Sequence, residues 1–396
     1  MPAWDYPFIH PLLGSDDDWA GYRVEFSPGS EAGPMIARLA ASPILNEFDH
    51  RAPWFIPAIA PSDGMGEPDE RAITTFPART NENTLWVRDL EAQLRQSKRK
   101  VGLEASPEEK LPGAGTWDYL LLSAGHARGL PPYTLLGIST RTTIVVTDVH
   151  SHSDHSWSLA NACSLSTGEY LLTHSTGNTK ADMSRLKLVK LLALIDDDAN
   201  TSALEEVFRE EPKLSYSLLR LVNSAALAPA TRITSYAQAI NILGRRQLQR
   251  WLQLLVYSDL NDGRHPTPLL QKAAARGFMM EALLPRLPAN TAENAIDAQN
   301  HDDTAFMIGT FSLLDVLLNI PMGELLHQLP LTEYVEQSLL RHKTPAGLLL
   351  DAIEAAEKRD LSGASRRLRE LSIDAETYLD VQLAALSWAA KIRKSV

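Results

Sequence analysis

Apolar positions along this chain follow two rhythms, and the change comes near residue 180. Before it, short aliphatic and β-branched runs recur between turn-forming residues: Trp54–Ala60, Val101–Glu104, Tyr119–Leu122, Leu135–Ile138 and Ile144–Val146. Apolar runs without alternation predict strands buried on both faces, as in a parallel sheet. Between them, residues 81–98 place Leu85, Val87, Leu90 and Leu94 in partial helical spacing. Strands alternating with helical pieces predict an α/β domain. Residues 27–80 carry many prolines and little periodicity, so boundaries there stay open.

After residue 180 the strand signal vanishes. SRLKLVKLLALIDDD sets Leu186, Val189, Leu192 and Ile195 on one helix face. Ser202 and Glu205 have capping-box spacing, which opens the next helix. Amphipathic segments continue around 304–319, 332–341, 346–358, 363–371 and 375–392, punctuated by Pro212, Pro229, Pro266, Pro321 and Pro330. The pattern predicts an α/β domain over 1–180 and an all-helical domain over 184–396. The polar stretch HSTGNTKADMS lies between them.

Bulk properties narrow the setting. A chain of 396 residues, 44% apolar and 22% charged, suits two or three soluble domains. No apolar run approaches the ~18 residues of a membrane span. The first residues carry acids where a secretory signal is basic. The one cysteine, Cys163, excludes an intrachain disulfide, and a cytoplasmic location is expected. Residues 1–184 carry a net charge of −9 and residues 185–396 a net of −2. Neither half has the basic excess that phosphate-backbone binding needs, so no direct nucleic-acid partner is expected. The densest basic run, Arg95-Gln-Ser-Lys98-Arg99-Lys100, reads as a solvated helix end.

One stretch carries the look of chemistry: TTIVVTDVHSHSDHSWSLANAC, residues 142–163. Its His150-x-His152-x-Asp154-His155 resembles the two-zinc motif of metallo-β-lactamase-type hydrolases. That resemblance implies His150 and His152 on one zinc, and Asp154 and His155 on a second. Each zinc needs further protein ligands. Downstream, only His174 precedes the helical half. The motif also falls late in its domain, where a second half of sheet should still follow. The favoured expectation is therefore a surface loop with Asp154 capping a helix that starts near Trp157. A zinc metallohydrolase is the alternative.

The helical half resembles the HDOD domain of bacterial signalling proteins. The matching pieces are Pro212-x-Leu214-x-x-x-Leu218-Leu219-Arg220-x-Val222-Asn223-Ser224-Ala225 and Ile233-x-Ser235-x-x-Gln238-Ala239-Ile240-x-x-Leu243-Gly244. Leu248-x-x-Trp251, Ala305-Phe306-x-x-Gly309 and Leu313-Leu314-Asp315 follow. Leu219, Asn223, Ser224, Ala225, Gly244 and Trp251 are read as structural: small residues allow close helix contact, and Gly244 suits a cap or a tight crossing. Where related phosphohydrolases hold a metal with adjacent His and Asp, the resemblance puts Ser312 and Leu313, which are not metal ligands. His301-Asp302 occurs before the predicted helix and reads as helix-entry polarity.

HDOD domains often follow an EAL domain, a barrel that hydrolyses cyclic di-GMP in active members. Gly21-Tyr22-Arg23-Val24-Glu25-Phe26 resembles a strand of that barrel, with Arg23 at the position of a metal-binding glutamate. Trp117–Ser123 and Ile144–Ser151 resemble two more, with Leu121, Ser123 and Thr147 where charged residues are usual. Gly168-Glu169 lacks the family's Gln-Gly. Since hydrolysis there needs carboxylates on two divalent cations, the resemblance implies a degenerate barrel. The expectation is a degenerate EAL-like TIM-type barrel followed by an all-α HDOD domain. It would serve as a non-catalytic signalling scaffold acting through other signalling proteins, without cofactor or metal. Cyclic di-GMP binding is left open.

Overall fold

The structure is a computed structural model. It describes residues 6–27, 31–59, 71–78, 85–174, 238, 250–251, 253–257, 268–288, 301–327, 329 and 331–392. The chain divides into two compact units. The first comprises residues 1–173 with 357–362, and the second residues 174–356 with 363–396.

The first unit is a closed eight-stranded barrel. Its strands are β1 (Pro7–Leu13), β2 (Trp19–Phe26), β3 (Trp54–Pro57), β4 (Ala72–Pro77), β5 (Val101–Glu104), β6 (Tyr119–Ser123), β7 (Thr143–Thr147) and β8 (Leu165–Thr167). From β2 to β8 each strand pairs in parallel with the next, and β1 closes the ring by running antiparallel to both β2 and β8. Around it run α1 (Gly33–Ala41), α2 (Leu85–Gln96), α3 (Ala124–Gly129), α4 (Pro132–Ser139) and α5 (His152–Ala160).

Strand alternation divides the apolar residues into two sets. Leu12, Phe55, Ile73, Leu121, Val145 and Leu165, all from strands, cluster in the lumen. Leu120, Leu122, Ile144 and Val146 face the other way and pack with Val87, Ala127, Leu135 and Ile138 of the helices. The unbroken apolar runs of β6 and β7 follow from burial on both faces.

Several expectations need correction. Leu135–Ile138 is not a strand: it lies in α4, whose first turn holds Pro132. A four-residue apolar run has no period of its own, and the preceding prolines start a helix there. β1 and β4 carry no clear alternation and were not anticipated. The run from Trp54 yields a strand only to Pro57.

In the second unit the described helices are α6 (Pro268–Leu283), α7 (His301–Phe311), α8 (Leu314–Leu318), α9 (Met322–Leu326), α10 (Glu333–Arg341), α11 (Pro345–Glu357), α12 (Leu361–Glu370) and α13 (Ala375–Lys391). The segment predicted over 304–319 is thus broken in two, at Ser312 and Leu313. α6 and α7 cross at Gly277 and Gly309. A Cβ on Gly309 would lie 2.7 Å from the Gly277 Cα and 2.8 Å from the Arg276 carbonyl oxygen. Trp251 is buried and packs with Trp388, ring centroids 5.6 Å apart, beside Phe278 and Phe306. Leu219, Asn223, Ser224, Ala225, Gly244, the predicted helix at 184–198 and the capping box of Ser202 and Glu205 lie outside the described residues.

Candidate functional site

The C-terminal ends of parallel barrel strands are where TIM-type folds place their chemistry. Here that mouth gathers four carboxylates: Glu25 on β2, Glu104 at the end of β5, Asp148 just after β7 and Glu169 just after β8. Glu25 and Arg23, two residues apart, point to the same side of β2. Arg23 Nη2 lies 3.3 Å from Glu25 and donates to Glu104 at 3.0 Å. Arg359, from the 357–362 segment of the same unit, donates to Glu25 and Asp148 at 2.6 Å and to Glu169 at 3.4 Å. Asp148 meets it from a left-handed backbone conformation, φ 56°. That conformation is several-fold enriched for aspartate among non-glycine residues.

Electrostatics at this mouth follow from burial. Desolvation works against the charged Glu25 carboxylate, but His10, Arg23 and Arg359 outweigh it and hold its pKa below the ordinary range. Burial also works against the Arg359 cation, and Glu25, Asp148 and Glu169 reverse the effect. Among the described residues, Glu25 Oε2 and Glu169 Oε2 are buried without a hydrogen bond, although His10 Nε2 lies 3.5 Å from Glu25 Oε2.

The divalent cations of active EAL barrels do not fit these residues as placed. The Arg359 guanidinium stands among Glu25, Asp148 and Glu169, and Arg23 takes the Glu104 side. Among the described residues, no group of three or more His, Cys, Asp or Glu is disposed to hold a metal. Ser123 has gone to another duty, accepting from the His126 amide at 3.2 Å as the cap of α3. Thr147 is buried beside Asp148.

The HSHSDH motif does not converge. His150 and His152 are exposed, and the Asp154 carboxylate accepts from Ser151 Oγ at 2.7 Å and Arg128 at 2.9 Å. His155 turns inward between Asp17 Oδ1 (2.7 Å) and Ser166 Oγ (3.1 Å) and stacks on Tyr170. Ser166, His155 and Asp17 form a Ser-His-Asp chain, but Ser166 is 2% exposed, so no substrate carbonyl reaches it. The helix starts at His152, not near Trp157, and its cap is Ser151, not Asp154. Serine immediately before the helix accepts the orphan amide, whereas Asp154 sits inside the first turn.

In the second unit, Ser312 and Leu313 occupy the position discussed for a helical phosphohydrolase. Arg276, 2% exposed, donates to Ser312 Oγ at 2.6 Å and to Glu354 at 3.3 Å. Ser312 donates onward to the Gly309 carbonyl at 2.6 Å. His301 and Asp302 form the first turn of α7 rather than preceding it, and their side chains lie outside the described set.

With this geometry in place, comparison supplies the family. Residues 185–298 match the HDOD domain. The chain carries an HDOD domain. The barrel ahead of it completes the expected order, α/β barrel followed by a helical region that contains the HDOD domain. Cyclic di-GMP phosphodiesterase CdgJ of Vibrio cholerae is 31% identical over 193 residues, 49% of this chain and 42% of that protein. Uncharacterized protein YuxH of Bacillus subtilis is 28% identical over 195 residues, 49% and 45% of the two chains. This chain therefore spans less than half the length of these curated relatives. A solved structure with an EAL domain, Bacillus subtilis YkuI in complex with cyclic di-GMP and calcium, matches at 15% identity. It covers 60% of this chain and 71% of its own, with a TM-score of 0.29. A standalone EAL protein from Vibrio cholerae matches at 13% identity over 42% and 90% of the chains, TM-score 0.32.

These findings correct one expectation. The chain was expected not to be an enzyme, and the relative at 31% identity is named a phosphodiesterase, which points the other way. That expectation rested on single positions, Arg23, Ser123 and Thr147. The fold brings Glu25, Glu104, Asp148 and Glu169 to the same mouth from elsewhere. Glu25 was within reach of sequence reasoning, through its two-residue spacing from Arg23. Arg359 was not, because its partners lie 190 to 334 residues away. No described helix is long and apolar enough to cross a membrane.

Proposed function

We propose that this chain acts in cyclic di-GMP signalling. The C-terminal mouth of the barrel handles the dinucleotide, and the HDOD-containing helices engage other signalling proteins. The observation that carries the reading is the convergence of Arg23 and Arg359 with four carboxylates on one mouth. Guanidinium groups match phosphate oxygens in geometry and charge, and a cyclic dinucleotide offers two phosphodiesters. The name of the relative from Vibrio cholerae supports the same ligand. An incoming phosphodiester competes with Glu25, Asp148 and Glu169 for Arg359, so binding costs the ion pairs it replaces. In this reading Leu219, Asn223, Ser224, Ala225 and Gly244 are scaffold residues of the HDOD domain.

The test is calorimetric titration of the full chain with cyclic di-GMP, with chromatography of the same samples after incubation with Mg²⁺ or Mn²⁺. Binding that weakens about tenfold in Arg23→Ala, the loss of ~1.4 kcal/mol of charge-assisted contact, is the expected result. A linear dinucleotide product in those samples would add phosphodiester hydrolysis to the reading. Neither binding nor product would remove cyclic di-GMP from it.

A further inference from the structure

Between α11 and α12 stand only Lys358, Arg359 and Asp360, and residues 357–362 belong to the barrel unit. Arg359 has a left-handed backbone, φ 64°. Just past a helix, glycine or asparagine usually fills that conformation. Asp148, at the other end of a 2.6 Å contact with it, is left-handed as well, φ 56°. Two non-glycine residues held in that region and joined to each other mark a contact that the surroundings over-determine. Ser27, directly after β2, secures the same segment by donating to the Leu361 carbonyl at 3.1 Å.

One side chain of this short link meets three carboxylates. Its Nη1 donates to Asp148 Oδ1 at 2.6 Å and to Glu169 Oε1 at 3.4 Å, while Nη2 donates to Glu25 Oε1 at 2.6 Å. The acids come from β2, the residue after β7 and the turn after β8, so closure of the barrel assembles them around one cation. The side chains of Glu25 and Glu169 are 13% and 9% exposed, so their attraction for positive charge is weakly screened. Among the described residues, Glu169 Oε2 is buried and makes no hydrogen bond. Arginine does not lose its proton in proteins, so this cation is permanent. A hard divalent cation needs its oxygens at ~2.0–2.6 Å. The Arg359 guanidinium fills the space between these oxygens and would repel a second cation beside it.

We propose that Arg359 is a tethered plug: its guanidinium holds the seat of a divalent cation, and the mouth admits such an ion only when the 357–362 segment withdraws. The misfit between this barrel and divalent cations then belongs to one short segment and not to the strands. Arg23 is not part of the plug, because it lies within β2 and cannot leave without the strand. The inference concerns the same mouth as the cyclic di-GMP reading but does not involve the dinucleotide. An experiment with metal alone therefore keeps the two apart.

The experiment is titration of the full chain with Mn²⁺ alone, the free ion being followed by its electron paramagnetic resonance signal. Wild type should leave that signal unchanged up to about 1 mM. Arg359→Gln keeps amide donors but no charge, and should take up about one Mn²⁺ per chain, at least about tenfold more tightly than wild type. Its Tm should rise with Mn²⁺, while the wild-type Tm should not. Adding Glu25→Gln to Arg359→Gln should abolish the uptake, which locates the ion at this mouth. A second variant serves where the first fails to fold: Arg359→Gln with Asp148→Asn. It removes one stranded charge at a side chain that is 47% exposed, and asparagine tolerates the left-handed backbone. This variant should still bind Mn²⁺ more tightly than wild type. Uptake of Mn²⁺ by wild type with the affinity of Arg359→Gln would overturn the plug, and so would variants that bind no more tightly than wild type.

Discussion

Removing the Arg359 side chain would leave Glu25, Asp148 and Glu169 without the cation they share, with Arg23 and His10 still beside Glu25. Glu25 and Glu169 are largely withdrawn from water, with side-chain exposures of 13% and 9%, so their mutual repulsion is weakly screened. Breaking a buried pair costs more than its net worth, because it strands the partner charges. Arg359→Ala should therefore destabilise the chain by roughly 2–4 kcal/mol at neutral pH, measured by urea unfolding. The pH dependence has a definite sign. Glu25 has a lowered pKa in the folded state, so its contribution is present above its unfolded pKa and fades as pH falls through the lower folded value. The difference between wild type and Arg359→Ala should shrink on acidification. An undiminished difference in acid would show that the cost is packing, not charge. Cys163 is a second test at this scale. Burial pushes its thiol up to about 11. It should resist alkylation by iodoacetamide at pH 8 in the native chain and react once unfolded, as read by mass spectrometry.

Among the elements, the crossing of α6 and α7 has the narrowest tolerance. Two glycines face each other there, and any Cβ on Gly309 meets backbone, which cannot rotate aside. Gly309→Ala should cost about 1–3 kcal/mol through overpacking, despite the better helix propensity of alanine. A lowered Tm with native-like circular dichroism is the expected reading; an unchanged or raised Tm would mean that the helices separate without penalty. The glycine was visible in the sequence as part of Ala305-Phe306-x-x-Gly309, but its reason was not. Only the partner helix explains it. Short apolar runs show the same limit from the other side. Tyr119–Leu122 and Ile144–Val146 form strands and Leu135–Ile138 forms a helix, although all three are brief and apolar. The difference lies in Pro131-Pro132 and in what each run packs against.

At the level of the whole molecule, the barrel unit is not continuous in sequence, since residues 357–362 belong with residues 1–173. A fragment ending at residue 173 lacks Arg359 and keeps its three carboxylates. Its barrel should unfold at lower urea than the same barrel in the full chain, by a margin comparable to that of Arg359→Ala. Matching midpoints for fragment and full chain would sink the idea that the 357–362 segment stabilises the barrel.

Two fold classes, their order and the HDOD match follow from local patterns: apolar period, capping residues and a run of motif residues all lie within one or two elements. Those patterns are short-range, and a sequence displays them directly. The mouth of the barrel is different. Glu25, Glu104, Asp148, Glu169 and Arg359 are ordinary charged residues in their own neighbourhoods. The HSHSDH motif is the converse case, dense in sequence yet split by a helix that turns His155 inward and leaves His150 and His152 facing water. Charges interact through space, over a few ångströms, and chain closure alone decides which of them meet.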